Sequence, residues 1–219
     1  MNKKISDDNY FRLIKPMVVK NILRFYQSTV RTGKFAHRQN NYRNYMLETR
    51  KFNNYFDIPE SYIEAISICK TSYIEEEVFN TIGKFFKEQD YIYLLPIFLI
   101  HKSDNIPLGI YSIDFIDGVL YKFEELNNII CNKDLMEEDF NMCISYFLDI
   151  KQCSLIDEEL GFINGIIQIG RLYENIEQVS RQNNMSTYSK FIPQQSFTHD
   201  LGINCREQLF IKNQILRGI

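Results

Sequence analysis

Residues 158–183 read EELGFINGIIQIGRLYENIEQVSRQN. Phe162, Ile166, Ile169, Tyr173, Ile176 and Val179 recur at three- and four-residue steps, the apolar stripe of an amphipathic helix. Ile163 and Ile167 widen that stripe, so more than one face needs cover. The spacing predicts a long helix that is central or lies at a subunit interface. Gly165 and Gly170 each cost about 1 kcal/mol relative to alanine inside a helix. Their presence points to close approach by another helix or by a ligand.

The 219 residues fit one domain, or one domain with an arm, and 45% hydrophobic content suffices for a full core. No stretch reaches the roughly 18 apolar residues of a membrane span, and the N-terminus MNKKISDDNYFRLIKP has no apolar signal core. A cytoplasmic location is expected, with no membrane partner. Five cysteines without a CxxC pair read as reduced structural thiols. The scattered His37, His101 and His199 offer no metal-ligand spacing.

The net charge of −3 conceals an asymmetry. Residues 1–54 hold twelve Lys/Arg against three Asp/Glu, a balance of +9; residues 55–219 hold thirteen against twenty-five, a balance of −12. The chain therefore divides into a basic N-terminal helix and arm, 1–54, and an acidic body, 55–219. The arm can meet nucleic acid, an acidic peptide, or the body of a second copy. Nucleic acid ranks last, because no recognition motif accompanies the arginines and tyrosines of residues 31–54.

Along the chain, residues 7–30 read as a helix, and Ile58-Pro59-Glu60 opens another with Ile63, Ala65, Ile66 and Cys69 facing inward. Ser72 starts the next helix, with Glu75, Glu76 and Glu77 in its first turn and Val78, Phe79, Ile82, Phe85 and Phe86 inside. Residues 91–101, YIYLLPIFLIH, read as a strand buried on both faces, with Pro96 marking a bend or an edge. Residues 108–114 and 118–123 form a hairpin around Asp117-Gly118. Residues 124–141 are polar and read as two short helices; 142–150 and 207–216 read as strands. The loop MSTYSKFIPQQSF lies between the long helix and the last strand. The fold class is α+β, a mostly antiparallel central sheet covered by helices.

This order of elements resembles the nitroreductase superfamily, and within it the SagB-type branch of azoline dehydrogenases. The residues that carry the likeness are Phe25–Thr29, Phe52–Pro59, Gly109-Ile110-Tyr111-Ser112-Ile113-Asp114, and the helix from Gly161-Phe162 through Gly170-Arg171 to Asn175. The resemblance implies a three-layer fold and an intertwined dimer, made with a second copy or with a related subunit. FMN would lie at the subunit boundary. Lys70 and Ser72 match the first Arg and the Ser of the family's R-x-S-x-R and would meet the phosphate. Pro193, Gln194, Gln195 and Ser196 are similar to the segment that passes over the flavin ring. Asp157 stands near the position of the family's Lys-Tyr pair and is the candidate base.

The sequence also departs from that pattern. Ile74 replaces the second Arg, Glu88–Tyr93 replaces a Pro-Ser-x-Gly element, Ile156-Asp157 stands where the Lys-Tyr pair belongs, and Arg171 replaces a histidine. No phosphate-binding tail of the ordinary nitroreductase type follows the last strand. Ser72 serves equally as a plain helix cap. Two functions are expected. One is an FMN-dependent dehydrogenase, or a subunit of one, oxidising azolines to azoles on a ribosomally made peptide. The other is a non-catalytic subunit pairing with an active dehydrogenase or a cyclodehydratase complex.

Overall fold

The structure is a computed structural model. It describes residues 21, 24, 63–89, 92–115, 117–124, 139–150, 153, 157, 159–192, 203 and 208–218. Strand β1 (Glu64–Ser67) leads through a short 3-10 turn (Ile68–Lys70) into helix α1 (Tyr73–Glu88). Strands β2 (Leu94–Ile100), β3 (Gly109–Asp114), β4 (Val119–Glu124) and β5 (Met142–Asp149) follow. Helix α2 (Glu159–Gln182), β6 (Met185–Tyr188) and β7 (Gln208–Gly218) complete the described elements. They form one seven-stranded sheet in the order β1-β4-β3-β2-β5-β7-β6, with every described pairing antiparallel.

The sheet is buried on both faces, which is why its inner strands are almost continuously apolar. On one face, Phe98, Ile100, Tyr111, Ile113, Ile144 and Leu148 pack against Val78, Phe79, Ile82 and Phe86 of α1 and Ile169, Leu172 and Ile176 of α2. On the other, Ile97, Leu99, Ile110, Cys143, Phe147 and Ile215 form a second cluster with Phe140 and Ile192. The alternation of neighbours along each strand assigns them to opposite faces.

Pro96 sits where the sequence leads one to expect an edge, although β2 is an inner strand. β2 pairs with β5 along its whole length but with β3 only from Phe98 to Ile100. Pro96 thus lies in the half that β3 does not reach, where a missing N–H is tolerated. The hairpin turns at Gly118 with φ +65, the left-handed region that glycine enters without strain. Asp114 Oδ1 accepts the Asp117 N–H at 3.2 Å and closes the turn.

Two sequence readings require correction. The segment from Ile63 is not an α-helix: Glu64–Ser67 pairs with β4 and only Ile68–Lys70 makes a 3-10 turn; Ile63, Ala65 and Cys69 are exposed while Ile66 and Ile68 are buried. The isoleucines follow period two, not 3.6, and β-branched residues suit a pleated surface. The loop after α2 contains β6, whose Met185–Tyr188 pairs with Ile215–Gly218. The readings for residues 31–54, for 125–138 and for most of 7–30 fall outside the described residues; Asn21 and Arg24 within the last are helical.

Candidate functional site

Helix α2 is the long helix of the sequence, but its inward line is rotated. Ile169, Leu172 and Ile176 are buried, together with Gly161, Gly165, Gln168 and Ser180. Ile166 and Ile167 are 38% and 47% exposed. Gly165 does mark close approach, and the neighbour is the sheet. A Cβ there would overlap Leu148 Cδ1 and come within 3.1 Å of Tyr93 Cβ. At Gly161 a Cβ would collide with the Cys153 carbonyl and lie 2.7 Å from Cys153 Cα. Gly170 is exposed, and a Cβ there meets nothing within 4 Å.

These contacts position Asp157, which is 6% exposed. Its Oδ2 accepts a short hydrogen bond from Tyr93 Oη and another from Asn164 Nδ2 at 3.2 Å. Tyr93, 2% exposed, also donates its backbone N–H to Gln168 Oε1 at 3.2 Å. Tyr93 and Asn164 have no counterpart in the sequence reading. Only the fold brings them to Asp157, since Tyr93 is 64 residues away. Nearby, burial pushes the Cys153 thiol up to about 12, and Asp149 and Asp157 push the same way. Cys153 is therefore a protonated, inert thiol at neutral pH. The cluster fixes a buried carboxylate in place, but neither of the two cavities described below is lined by Asp157.

Ser72 caps α1 in a capping box. Its Oγ accepts the Glu75 N–H at 3.4 Å, and its own N–H donates to Glu75 Oε2 at 3.0 Å. Ser72 lines a groove of about 590 Å³ with Tyr73, Glu75, Lys102, Met142 and Asn183, among others. Lys102 pairs with Asp139 on the surface, and that lysine holds the Asp139 carboxyl below its usual range. Lys70 is exposed and lines no described cavity. A second cavity, about 480 Å³, runs along α1 beside Cys69, Lys84, Lys87 and Phe115.

The candidate residues are not gathered in one place. Tyr93 and Asp157 belong to the Leu94↔Leu148 end of the β2–β5 ladder, and the Ser72 groove to its Ile100↔Met142 end. Six residue steps separate them, about 20 Å at ~3.4 Å per step. One protomer therefore cannot bring Ser72 and Asp157 to the same small reactant. Pro193, Gln194, Gln195 and Ser196 lie outside the described residues.

The resemblance assigns the Ser72 end to a flavin phosphate, and that end fits an anion poorly. The Ser72 N–H that would face the phosphate already binds the Glu75 carboxylate. Glu76 shares the first turn, Glu77 follows, and Lys70, the basic residue that the resemblance assigns to the phosphate, lines no described cavity. Like charges 4 Å apart repel by about 4 kcal/mol at an effective dielectric near 20. Among the described residues no group of His, Cys, Asp and Glu could hold a metal ion, and no helix is long and apolar enough to cross a membrane.

No family model matches the chain, and no curated protein sequence matches it. Solved structures do. A candidate nitroreductase from Anabaena variabilis superposes with TM-score 0.56 at 12% identity, covering 76% of this chain and 41% of its own. A chain of the E. coli microcin synthetase McbBCD complex with truncated pro-MccB17 bound gives 0.52 at 11% identity, covering 99% of this chain and 98% of its own. A candidate nitroreductase from Ralstonia eutropha gives 0.51 at 9%, covering 74% and 88%. The chain thus spans less than half of the Anabaena protein and nearly all of the microcin synthetase chain. At identities this low the likeness is one of architecture, and it establishes a nitroreductase-like α+β fold for this protein.

Proposed function

We propose that this protein is a nitroreductase-fold subunit of a peptide-modifying assembly, in which it serves as a structural partner. The observation that carries this reading is Glu75. Its carboxylate occupies the helix start where the resemblance would put a phosphate. The microcin synthetase neighbour, a complex with a bound pro-peptide, supports the peptide-modifying context. The partner would be a second copy or a related dehydrogenase subunit, meeting α2 on its outward face, where Ile166, Ile167 and Gly170 are exposed. The basic segment 1–54 is the proposed docking arm of the 55–219 domain.

A second reading rests on the Tyr93–Asp157–Asn164 cluster. A buried carboxylate, oriented by two donors, is a feature of proton-transfer sites. In this reading the chain is a SagB-like FMN-dependent oxidoreductase that converts azolines to azoles on a ribosomal peptide. Asp157 is the proton acceptor, and Lys70, Ser72 and Pro193–Ser196 hold the cofactor.

The visible spectrum of the purified protein separates the two. The structural-partner reading expects a colourless protein that takes up no added FMN. Bound flavin bands would overturn it in favour of the oxidoreductase. If flavin is retained, Lys70→Glu tests its assigned place: loss of the cofactor keeps Lys70 at the phosphate, and unchanged retention removes it.

A further inference from the structure

We propose that the segment Ser189–Ile192 is a strap, latched to the second face of the sheet by Asn213, and that this latch opens locally while the sheet stays folded. The proposal goes beyond both readings of function and holds under either.

The β6–β7 ladder runs from Met185↔Gly218 to Tyr188↔Ile215. Two steps further, the same register sets Lys190 opposite Asn213. There the pairing changes hands from main chain to side chain. The Lys190 N–H donates to Asn213 Oδ1 at 3.0 Å, and Ser189 Oγ donates to the same oxygen at 3.1 Å. The next residue of β7, Gln214, donates its amide to the Tyr173 carbonyl of α2. Asn213 therefore lies on the opposite face, with Ile215 and the second apolar cluster. Ile192, 5% exposed, belongs to that same cluster. An asparagine oxygen and an isoleucine side chain thus fasten the strap across the second face.

The fastening is shallow. Ser189 is exposed, and Phe191 is 89% exposed, so the strap buries no large apolar side chain between its two anchors. Asn213 is also unbalanced. It is fully buried, yet its Nδ2 has no hydrogen-bond partner among the described residues. The two donors on Oδ1 fix which end of the amide is left over. An enclosed donor without an acceptor carries its full desolvation cost. Lifting Ser189 and Lys190 away wets that donor and removes the cost, which offsets the two hydrogen bonds given up. Segments with few buried apolar contacts open well below the free energy of global unfolding. The strands beneath have no such weakness, since Ile144, Phe147 and Ile215 are fully buried.

The test is native-state hydrogen exchange on the full chain, read by NMR at the Lys190 amide in rising, sub-denaturing urea. In wild type this amide is expected to be protected, but to exchange at least tenfold faster than the amides of the β2–β5 ladder. Its rate should not depend on urea, because a local opening exposes little new surface. Ser189→Ala, at an exposed position that the fold does not need, removes one of the two bonds and should speed Lys190 exchange about two- to tenfold. Asn213→Leu removes the acceptor and should speed it further, with the ladder amides unmoved. Phe191→Ser should change neither. If Asn213→Leu does not fold, Ser189→Ala decides alone. The proposal is overturned if the Lys190 amide exchanges together with the ladder and with the same urea slope, or is unprotected in wild type. It is equally overturned if Ser189→Ala leaves the rate unchanged.

Discussion

At the Leu148 end of the β2–β5 ladder, the start of α2 is packed tightly: a Cβ at Gly161 would collide with the Cys153 backbone, and one at Gly165 would displace the Leu148 side chain. At the Met142 end, α1 stands off and leaves a groove of about 590 Å³. The close end spends its polar groups internally: Tyr93, Asn164 and Gln168 all bond within the protein. The open end carries the capping box, in which the buried Glu75 carboxylate takes the Ser72 N–H. The contrast separates residues that hold the fold from residues available to a visitor. Asp157 is a candidate by chemistry but is locked in; Ser72 and Glu75 close the capping box at the wall of the groove.

The largest effect is expected at the close end. Gly161→Ala forces a methyl group into the Cys153 backbone, which cannot rotate away, and should cost about 3 kcal/mol or more, despite alanine's better helix propensity. A chain of this size loses about 2–4 °C in Tm per kcal/mol, so calorimetry or circular dichroism reads the change directly. An unchanged Tm would mean that the start of α2 does not pack on the Cys153 backbone as described. Next, Asp157→Ala removes the acceptor of Tyr93 Oη and Asn164 Nδ2 and should cost about 2–3 kcal/mol in urea denaturation. A loss below about 0.5 kcal/mol would mean that the cluster adds little to the close end.

The same end should be sensitive to alkali. Burial raises the thiol of Cys153 to about 12 and also raises the Tyr146 phenol. The unfolded chain then loses these protons at lower pH than the folded one. Their contribution is complete below the unfolded values near 9 and 10, and it falls away as pH climbs toward the folded ones. Stability should drop by up to about 1.4 kcal/mol per pH unit for each such group above its unfolded value. Cys153→Ala should flatten the thiol's part of that slope, and an identical slope in the variant would clear Cys153 of the effect.

Smaller changes probe the open end and the outer face of α2. Ser72→Ala removes one half of the capping box and should cost about 1 kcal/mol by thermal unfolding. A much greater loss would show that the serine does more than cap. Gly170→Ala, with no neighbour within 4 Å, should stabilise an isolated chain by about 0.5–1 kcal/mol. If a partner helix packs over this position, the same change should instead weaken self-association in sedimentation. That sign difference distinguishes a bare helix face from an interface.

Much of the architecture could be read in the residues. The long helix, the start of α1 with its buried Val78, Phe79, Ile82, Phe85 and Phe86, the hairpin and three core strands all lie within two or three residues of their expected bounds. Each carries a local signal: a capping serine, an Asp-Gly turn, or a run of β-branched and aromatic residues. β1 and β6 were missed because each is four residues long and is defined by pairing with a strand distant in sequence. The helical phase of α2 was misjudged because Ile166 and Ile167 are apolar yet face outward, while the glycines that face the sheet carry no apolar signal. Ser72 was visible as a helix cap and Glu75 as a first-turn acid; their reciprocal capping box is a finding of the structure. The Tyr93–Asp157 contact was not, since nothing local ties Tyr93 to the start of α2.

The order β5-β7-β6 also dictates a history for the growing chain. β6 emerges with its sheet neighbour among the described strands still unmade, and β7 must later enter between it and a β5 strand some 70 residues upstream. Until that insertion, the hydrogen-bonding edge of β5, with Cys143, Ile144 and Phe147 along it, lies open to any extended segment that drifts past. A newly made copy is thus most open to mispairing in the interval between the making of β5 and the insertion of β7.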